Sequence, residues 1–239
     1  DENSEFPIGS LTKIFTIVTL ILLHQNGIIN IRAKVTKYLN CPELAKTTVL
    51  QLMNHMSGMK RMPDKLFKRE KYENAEEASA VFSSEKLITL PRNNKSYSNI
   101  GFIILGHLIE NVTDMHYYDA YNKYILVPLK MKQTDIGETN ITLYNAKQCK
   151  LKRSEFLERF FACSAGGLHS TIKDMIAFAK FPKLFNQQSL KLFRQSYIFK
   201  NNVLQHNGAI NGGKSFYRVI YDDKFNVKDV DLLLRTIFG

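Results

Sequence analysis

The feature that most constrains this chain is Ser10-Leu11-Thr12-Lys13 running directly into its most apolar stretch, Ile14 to Leu23. Gly9 and Ser10 stand at the start and Asn26-Gly27 supplies a stop signal, so residues 10–26 read as a buried helix. The stretch is too short to span a bilayer, which needs about 20 apolar residues. Nor does it read as a leader, since Asp1, Glu2 and Glu5 precede it instead of a positive segment. A serine and a lysine three apart share one helical face. At a helix start the serine meets free N–H groups that favour developing negative charge, and a lysine in apolar surroundings loses pKa and becomes a base. By itself the pattern is equally a serine N-cap followed by a surface lysine. Ser-x-x-Lys also occurs at Ser57/Lys60, Ser83/Lys86 and Ser170/Lys173, but only Ser10/Lys13 opens an apolar helix of this kind.

The remaining residues suit one large domain or two interleaved lobes, at 239 residues and 44% hydrophobic. Thr47-Thr48 reads as an N-cap for a short helix over Val49–Met53, and Glu76-Glu77-Ala78 suggests a surface helix. Further helices are expected from about Ile100 to Asn111, His116 to Ile125 with Pro128 closing the region, and Ile172 to Lys180 behind Ser170 or Thr171. Ser215–Tyr221 and Val230–Ile237 read as strands, with Asp222-Asp223-Lys224 turning between them. Helices in the middle and strands at the end predict an α+β arrangement. One lobe would take residues 1–35 with 165–239, and a mainly helical lobe residues 36–164.

The net charge of +11 raises nucleic acid as a partner, but the basic residues are scattered and no recognition motif accompanies them. Lys60-Arg61 with Lys65, Lys68, Arg69 and Lys71 is interrupted by Asp64 and Glu70 and reads as a solvated face. No nucleic-acid partner is expected. Cys41, Cys149 and Cys163 are odd in number and widely spaced, and the six histidines show no metal-ligand spacing, so neither a metal nor another cofactor is expected.

Two further clusters carry chemistry. Tyr97-Ser98-Asn99 precedes the helix at Ile100; its tyrosine hydroxyl can shuttle a serine's proton, the more so if a nearby lysine lowers the phenol's pKa, and its amide can hold a substrate carbonyl. The structural alternative is a loop aromatic with Asn99 as N-cap. His206-Asn207-Gly208-Ala209, followed by Asn211-Gly212-Gly213, joins a titratable ring to glycines that let a ligand approach a strand edge, or else forms a glycine-rich hairpin turn.

Taken in order, Ser-x-x-Lys, Tyr-Ser-Asn and His-Asn-Gly resemble the active-site motifs of serine β-lactamases and penicillin-binding proteins. They are most similar to the class C branch and its relatives among D-aminopeptidases, D,D-carboxypeptidases and esterases. Phe6–Lys13, Thr48–Gly58, Val127–Thr134 (with Lys130 where the family has glycine) and Ser164–Thr171 resemble further family segments in family order. The resemblance implies an antiparallel sheet flanked by helices beside a helical lobe. It implies Ser10 as nucleophile, Lys13 and Tyr97 in proton transfer, and the N–H groups of Ser10 and Ala209 as oxyanion hole. Asn99 would orient the substrate amide, with Gly208 beside it, and His206 would stand where many members place a carboxylate-binding lysine. A histidine there implies weaker recognition of β-lactams and a leaning toward esters, amides or small peptides. Members commonly work outside the cytoplasm, which implies a periplasmic or secreted protein.

Family members usually carry several tens of residues before the nucleophile segment and a helix after the last strand. This chain starts nine residues before Ser10 and stops at Gly239, so the fold is expected truncated at both ends. A fragmentary relative that binds without turnover is therefore the alternative to a hydrolase. The substrate and the oligomeric state stay open at this level.

Overall fold

The structure is a computed structural model and describes residues 2–61, 75–80, 95–136, 139, 144–147, 150–153, 164–210 and 213–236. The expected first helix divides into a 3-10 turn, Gly9–Leu11, and α1, Thr12–Gln25. Every residue of α1 from Thr12 to Leu23 is buried, as befits a helix apolar on all sides. Around it lie α2 (Val49–Met53), α3 (Ala75–Ala80), α4 (Asn99–Thr113), α5 (Tyr117–Tyr121), α6 (Val127–Leu129), α7 (Ile172–Phe178) and α8 (Gln187–Phe193).

Local chemistry explains the boundaries. Thr48 caps α2 in a reciprocal box with Gln51. Ser98, rather than Asn99, caps α4 by accepting from the Gly101 N–H at 3.1 Å. Thr171 caps α7, which ends at Phe178, two residues short of the expected Lys180. The aromatic helix expected from His116 to Ile125 starts at Tyr117, widens to a π-helical segment over Asn122–Leu126 and continues into α6. Pro128 stands in the first turn of α6, where a missing N–H costs little. Lys130 then ends α6 in the left-handed region at φ 58°, the conformation that explains the glycine at this position in the family segment.

Three sheets are present among the described residues. The first has the order β1 (Phe6–Pro7), β5 (Leu168–Ser170), β2 (Asp135–Ile136), and β3 (Tyr144–Lys147) pairs with β4 (Lys150–Arg153). The third is the antiparallel meander β6 (Phe199–Lys200), β7 (Val203–Ile210), β8 (Gly213–Tyr221), β9 (Val227–Thr236). The strand expected at Ser215–Tyr221 thus begins two residues earlier, and the last one starts at Val227. His206-Asn207-Gly208 lies within β7 and is not a hairpin turn; Ile210 pairs with Gly213 across residues 211–212, which lie outside the described set. Between β8 and β9, the Asp222 carboxylate accepts the N–H groups of Lys224 and Asn226, so the expected turn is an acidic side chain closing its own loop.

Phe15 of α1 stacks on Phe178 of α7 at 3.9 Å, and Phe181, Phe193, Phe199 and Phe225 continue an aromatic core from α7 and α8 to the meander. Polar threads join α1 to its other neighbours. Thr16 Oγ1 donates to Ser164 O at 2.7 Å and meets the Tyr121 hydroxyl at 2.7 Å, while Thr12 Oγ1 accepts the Leu168 N–H at 3.2 Å. These contacts pin residues 164–168 against the start of α1.

Candidate active site

Ser10 and Lys13 stand one helical turn apart, as three-residue spacing requires. Gly9 reaches this geometry with φ +52°, and a Cβ there would lie 3.1 Å from the Ala209 nitrogen, so the nucleophile turn packs directly on β7. Ser10 is half-buried and Lys13 wholly so. The Lys13 Nζ lies 3.1 Å from Ser10 Oγ, 2.8 Å from Asn99 Oδ1 and 2.5 Å from Ala165 O. Burial, and after it the positive charge of Arg61, holds the Lys13 pKa well below its ordinary value.

The proton inventory follows from those partners. Asn99 Oδ1 and Ala165 O can only accept. An uncharged Lys13 has two N–H bonds and one lone pair, and these two oxygens take the two N–H bonds. The lone pair is left facing Ser10 Oγ, whose proton it can receive.

Tyr97 completes the triangle, donating its hydroxyl to Ser10 Oγ at 2.8 Å. Burial pushes the Tyr97 phenol up, against the smaller lowering effects of its Ser10 hydrogen bond and of Arg61. A phenol lowered by a neighbouring lysine is therefore not what forms here: desolvation outweighs the nearby cation, and Tyr97 stays protonated. Residues 55–61 hold its loop. The Ser98 N–H donates to His55 Nδ1 at 3.1 Å, Ser98 Oγ donates to Lys60 O at 2.6 Å, and the Asn99 N–H donates to Arg61 O at 2.9 Å. The His55 ring packs on Tyr97 at 4.5 Å, and burial, then Lys13, lowers its pKa to about 3. His55 itself adopts φ 58°, a left-handed conformation that costs free energy in a non-glycine residue.

β7 forms the opposite wall. A Cβ on Gly208 would collide with Ile8 O and Ser215 Oγ, so only glycine lets the strand approach the nucleophile turn this closely. Next to it, Ala209 brings its backbone nitrogen beside Gly9. His206 faces the same cleft, its ring 6.4 Å from that of Tyr97. Its Nδ1 lies 2.7 Å from Asn207 O and its Nε2 2.9 Å from the Tyr197 hydroxyl. Burial and Lys13 lower its pKa to about 4. Ser10, Lys13, Tyr97, Asn99, His206, Gly208 and Ala209 are thus brought to one place.

Two of the other Ser-x-x-Lys serines are occupied in different contacts. Ser57 is buried, with its hydroxyl accepting from the Met59 N–H, and Ser170 is buried in β5 against the Thr134 hydroxyl. Ser83/Lys86, Cys149, Cys163 and, of the basic stretch, Lys65, Lys68, Arg69 and Lys71 lie outside the described residues. Among the described residues no group of three or more His, Cys, Asp or Glu could hold a metal ion, and no helix is long and apolar enough to cross a membrane. Sequence reasoning passed over His55, Arg61 and Tyr197 as site residues. His55 was visible within the Thr48–Gly58 segment, whereas no pattern around Tyr197 signals that its loop returns to the cleft.

A family model for beta-lactamase matches residues 1–214. The chain belongs to the beta-lactamase family. Within that family it is 30% identical over 142 residues to penicillin-binding protein 4* of Bacillus subtilis, covering 56% of this chain and 31% of that protein. It is 26% identical over 251 residues to the teichoic acid D-alanine hydrolase of Staphylococcus aureus, covering 94% of this chain and 61% of that protein. The chain therefore spans about a third and about three fifths of these relatives' lengths. The D-amino acid amidase of Ochrobactrum anthropi superposes with a TM-score of 0.79 at 21% identity, over 98% of this chain and 78% of the amidase. The fold is that of the β-lactamases and transpeptidases, with its antiparallel sheets and flanking helices. The sequence relative from Staphylococcus aureus is named as a D-alanine hydrolase, and the structural neighbour from Ochrobactrum anthropi as a D-amino acid amidase.

Proposed function

We propose that this beta-lactamase-family chain is a serine acyl hydrolase that cleaves amides or small esters through an acyl-enzyme on Ser10. The observation that carries the reading is the hydrogen-bond set of Lys13, two obligate acceptors plus Ser10 Oγ, on a fully buried amine. Ser10 passes its proton to Lys13 Nζ as Oγ bonds to the substrate carbonyl carbon. The N–H groups of Ser10 and Ala209 receive the oxyanion, an interaction whose loss typically costs about 2.7–4 kcal/mol. Collapse of the tetrahedral species breaks the bond to the leaving nitrogen or oxygen. Tyr97, kept protonated by burial, supplies the leaving group's proton, and the proton that Lys13 took from Ser10 then returns to the phenolate, leaving both groups neutral. Water then attacks the acyl-enzyme with the same groups reversed. Asn99, anchored to Lys13 through Oδ1, orients the substrate amide.

The names of the relatives suggest where to begin. D-alanyl groups on teichoic acid and D-amino acid amides belong in a first panel, with a penicillin and a nitrophenyl ester beside them. Product release is followed for the native chain and for Ser10→Ala. Turnover of at least one amide or ester that disappears in Ser10→Ala supports the reading. Turnover that survives the substitution rejects Ser10 as nucleophile.

A further inference from the structure

We infer that Tyr197 is a specificity-determining positioning residue: it caps His206 so that this ring offers no N–H to a substrate carboxylate. The inference rests on the acyl-hydrolase reading of the same site and names the substrate class, acyl compounds without a carboxylate at the position next to β7.

Asn207 O can only accept, so the 2.7 Å contact requires a proton on His206 Nδ1. In the neutral ring Nε2 is then an acceptor, and the Tyr197 hydroxyl at 2.9 Å donates to it. If the ring gains a proton, Nε2–H turns donor and the same phenol oxygen accepts it. In both protonation states Nε2 faces Tyr197 and not the cleft. A lysine at this position would present three rotatable N–H bonds instead.

Tyr197 is built to hold that place. It comes from the loop between α8 and β6, its N–H donates to Asn54 Oδ1 at 2.9 Å, and its ring packs edge-on against His55 at 4.5 Å and against Phe102 at 6.5 Å. The charged and titratable groups around His206 oppose its protonation. Lys13 and His55 lie across the cleft, Lys95 sits over the Tyr197 ring at 5.4 Å, and Tyr97, Tyr197 and Tyr217, the last being the cross-strand partner of His206, are phenols raised by burial.

The test has two arms on the full chain. Nitrogen NMR of the histidine rings, assigned with His206→Gln, reads the tautomer without reference to turnover. The expected result is an Nδ1–H ring whose Nε2 signal changes in Tyr197→Phe; an Nε2–H ring in the native chain overturns the proposal. The second arm follows Ser10 acylation by benzylpenicillin and by its methyl ester as pH is lowered from about 7 to about 4, where His206 gains its second proton. Tyr197→Phe keeps the packing ring and frees that Nε2–H for the carboxylate, so at the acidic end the acid-to-ester rate ratio should rise by about tenfold over that of the native chain, the scale of one charge-assisted hydrogen bond. An unchanged ratio overturns the proposal. Failure of either compound, and of a fluorophosphonate, to label Ser10 would instead overturn the acyl-hydrolase reading and with it the inference, while the tautomer result would stand on its own.

Discussion

At the scale of single residues, reactivity turns on how Lys13 is deprived of its charge. Its amine is buried, faces the Arg61 cation among its electrostatic neighbours, and spends its N–H bonds on two carbonyl oxygens. Replacing Lys13 by Ala removes the proton acceptor, and acylation of Ser10 should fall by about 10³-fold or more; Tyr97→Phe, which removes only the shuttle, should cost about 10²-fold. Pre-steady-state acylation rates separate the two. The sign of the pH dependence follows from the same geometry. Only uncharged Lys13 accepts the serine proton, so the rate should fall as pH drops through its lowered pKa and level off above it. Arg61→Gln removes a charge that disfavours the lysine cation. Its acidic limb should therefore move to higher pH, and an unmoved limb would show that burial alone sets Lys13. His206→Lys tests a different property of the wall: the ratio of penicillin to ester turnover should rise, as a flexible ammonium escapes the cap that Tyr197 places on the imidazole.

At the scale of elements, what sequence could reveal and what it could not divide along physical lines. α2 and α4 were readable because an apolar run and a capping side chain stand next to each other in the chain, and α1 from its apolar run alone. The nucleophile pair was readable because helical spacing fixes three-residue neighbours. The strand identity of His206-Asn207-Gly208 was hidden: glycines read as a turn until β8 pairs with them across the sheet, and Gly208 is selected by Ile8 and Ser215, which are distant in sequence. The choice of Ser98 over Asn99 as cap of α4 likewise depends on where Lys13 draws the asparagine. Burial raises the Tyr97 phenol, so the condition of a lysine-lowered phenol is not met, since desolvation is a property of the folded neighbourhood and not of the motif. Two substitutions test these element-level accounts. Lys130→Gly relieves a left-handed lysine at the end of α6 and should stabilise the chain by about 1 kcal/mol, read by urea denaturation. Gly208→Ala should separate β7 from the nucleophile turn and lower Ser10 acylation sharply, while the far-UV spectrum keeps its native shape.

At the scale of the whole molecule, α1 carries Lys13 and continues directly from the turn that holds Ser10, is buried along almost its full length, and is bonded through Thr12, Lys13 and Thr16 to residues 164–168. The site is therefore a seam in the core, and its histidines connect it to global stability. His55 titrates at about 3 and His206 at about 4, both lowered from 6.5. Between those values and 6.5 the unfolded chain binds more protons than the folded one, so stability rises with pH across that window and is lost as pH falls. The loss should reach a few kcal/mol by about pH 4, visible as a falling melting temperature, and His55→Gln should flatten the dependence. The central claim, an activated serine at residue 10, is tested most directly by intact mass after exposure to a fluorophosphonate, with Ser10→Ala and Lys13→Ala alongside. The account predicts one adduct on the native chain, none on Ser10→Ala, and slow or no labelling of Lys13→Ala. A folded native chain that takes up no adduct would contradict it, and the Ser10–Lys13–Tyr97 triangle would then stand as an inherited arrangement in a protein that binds without turnover.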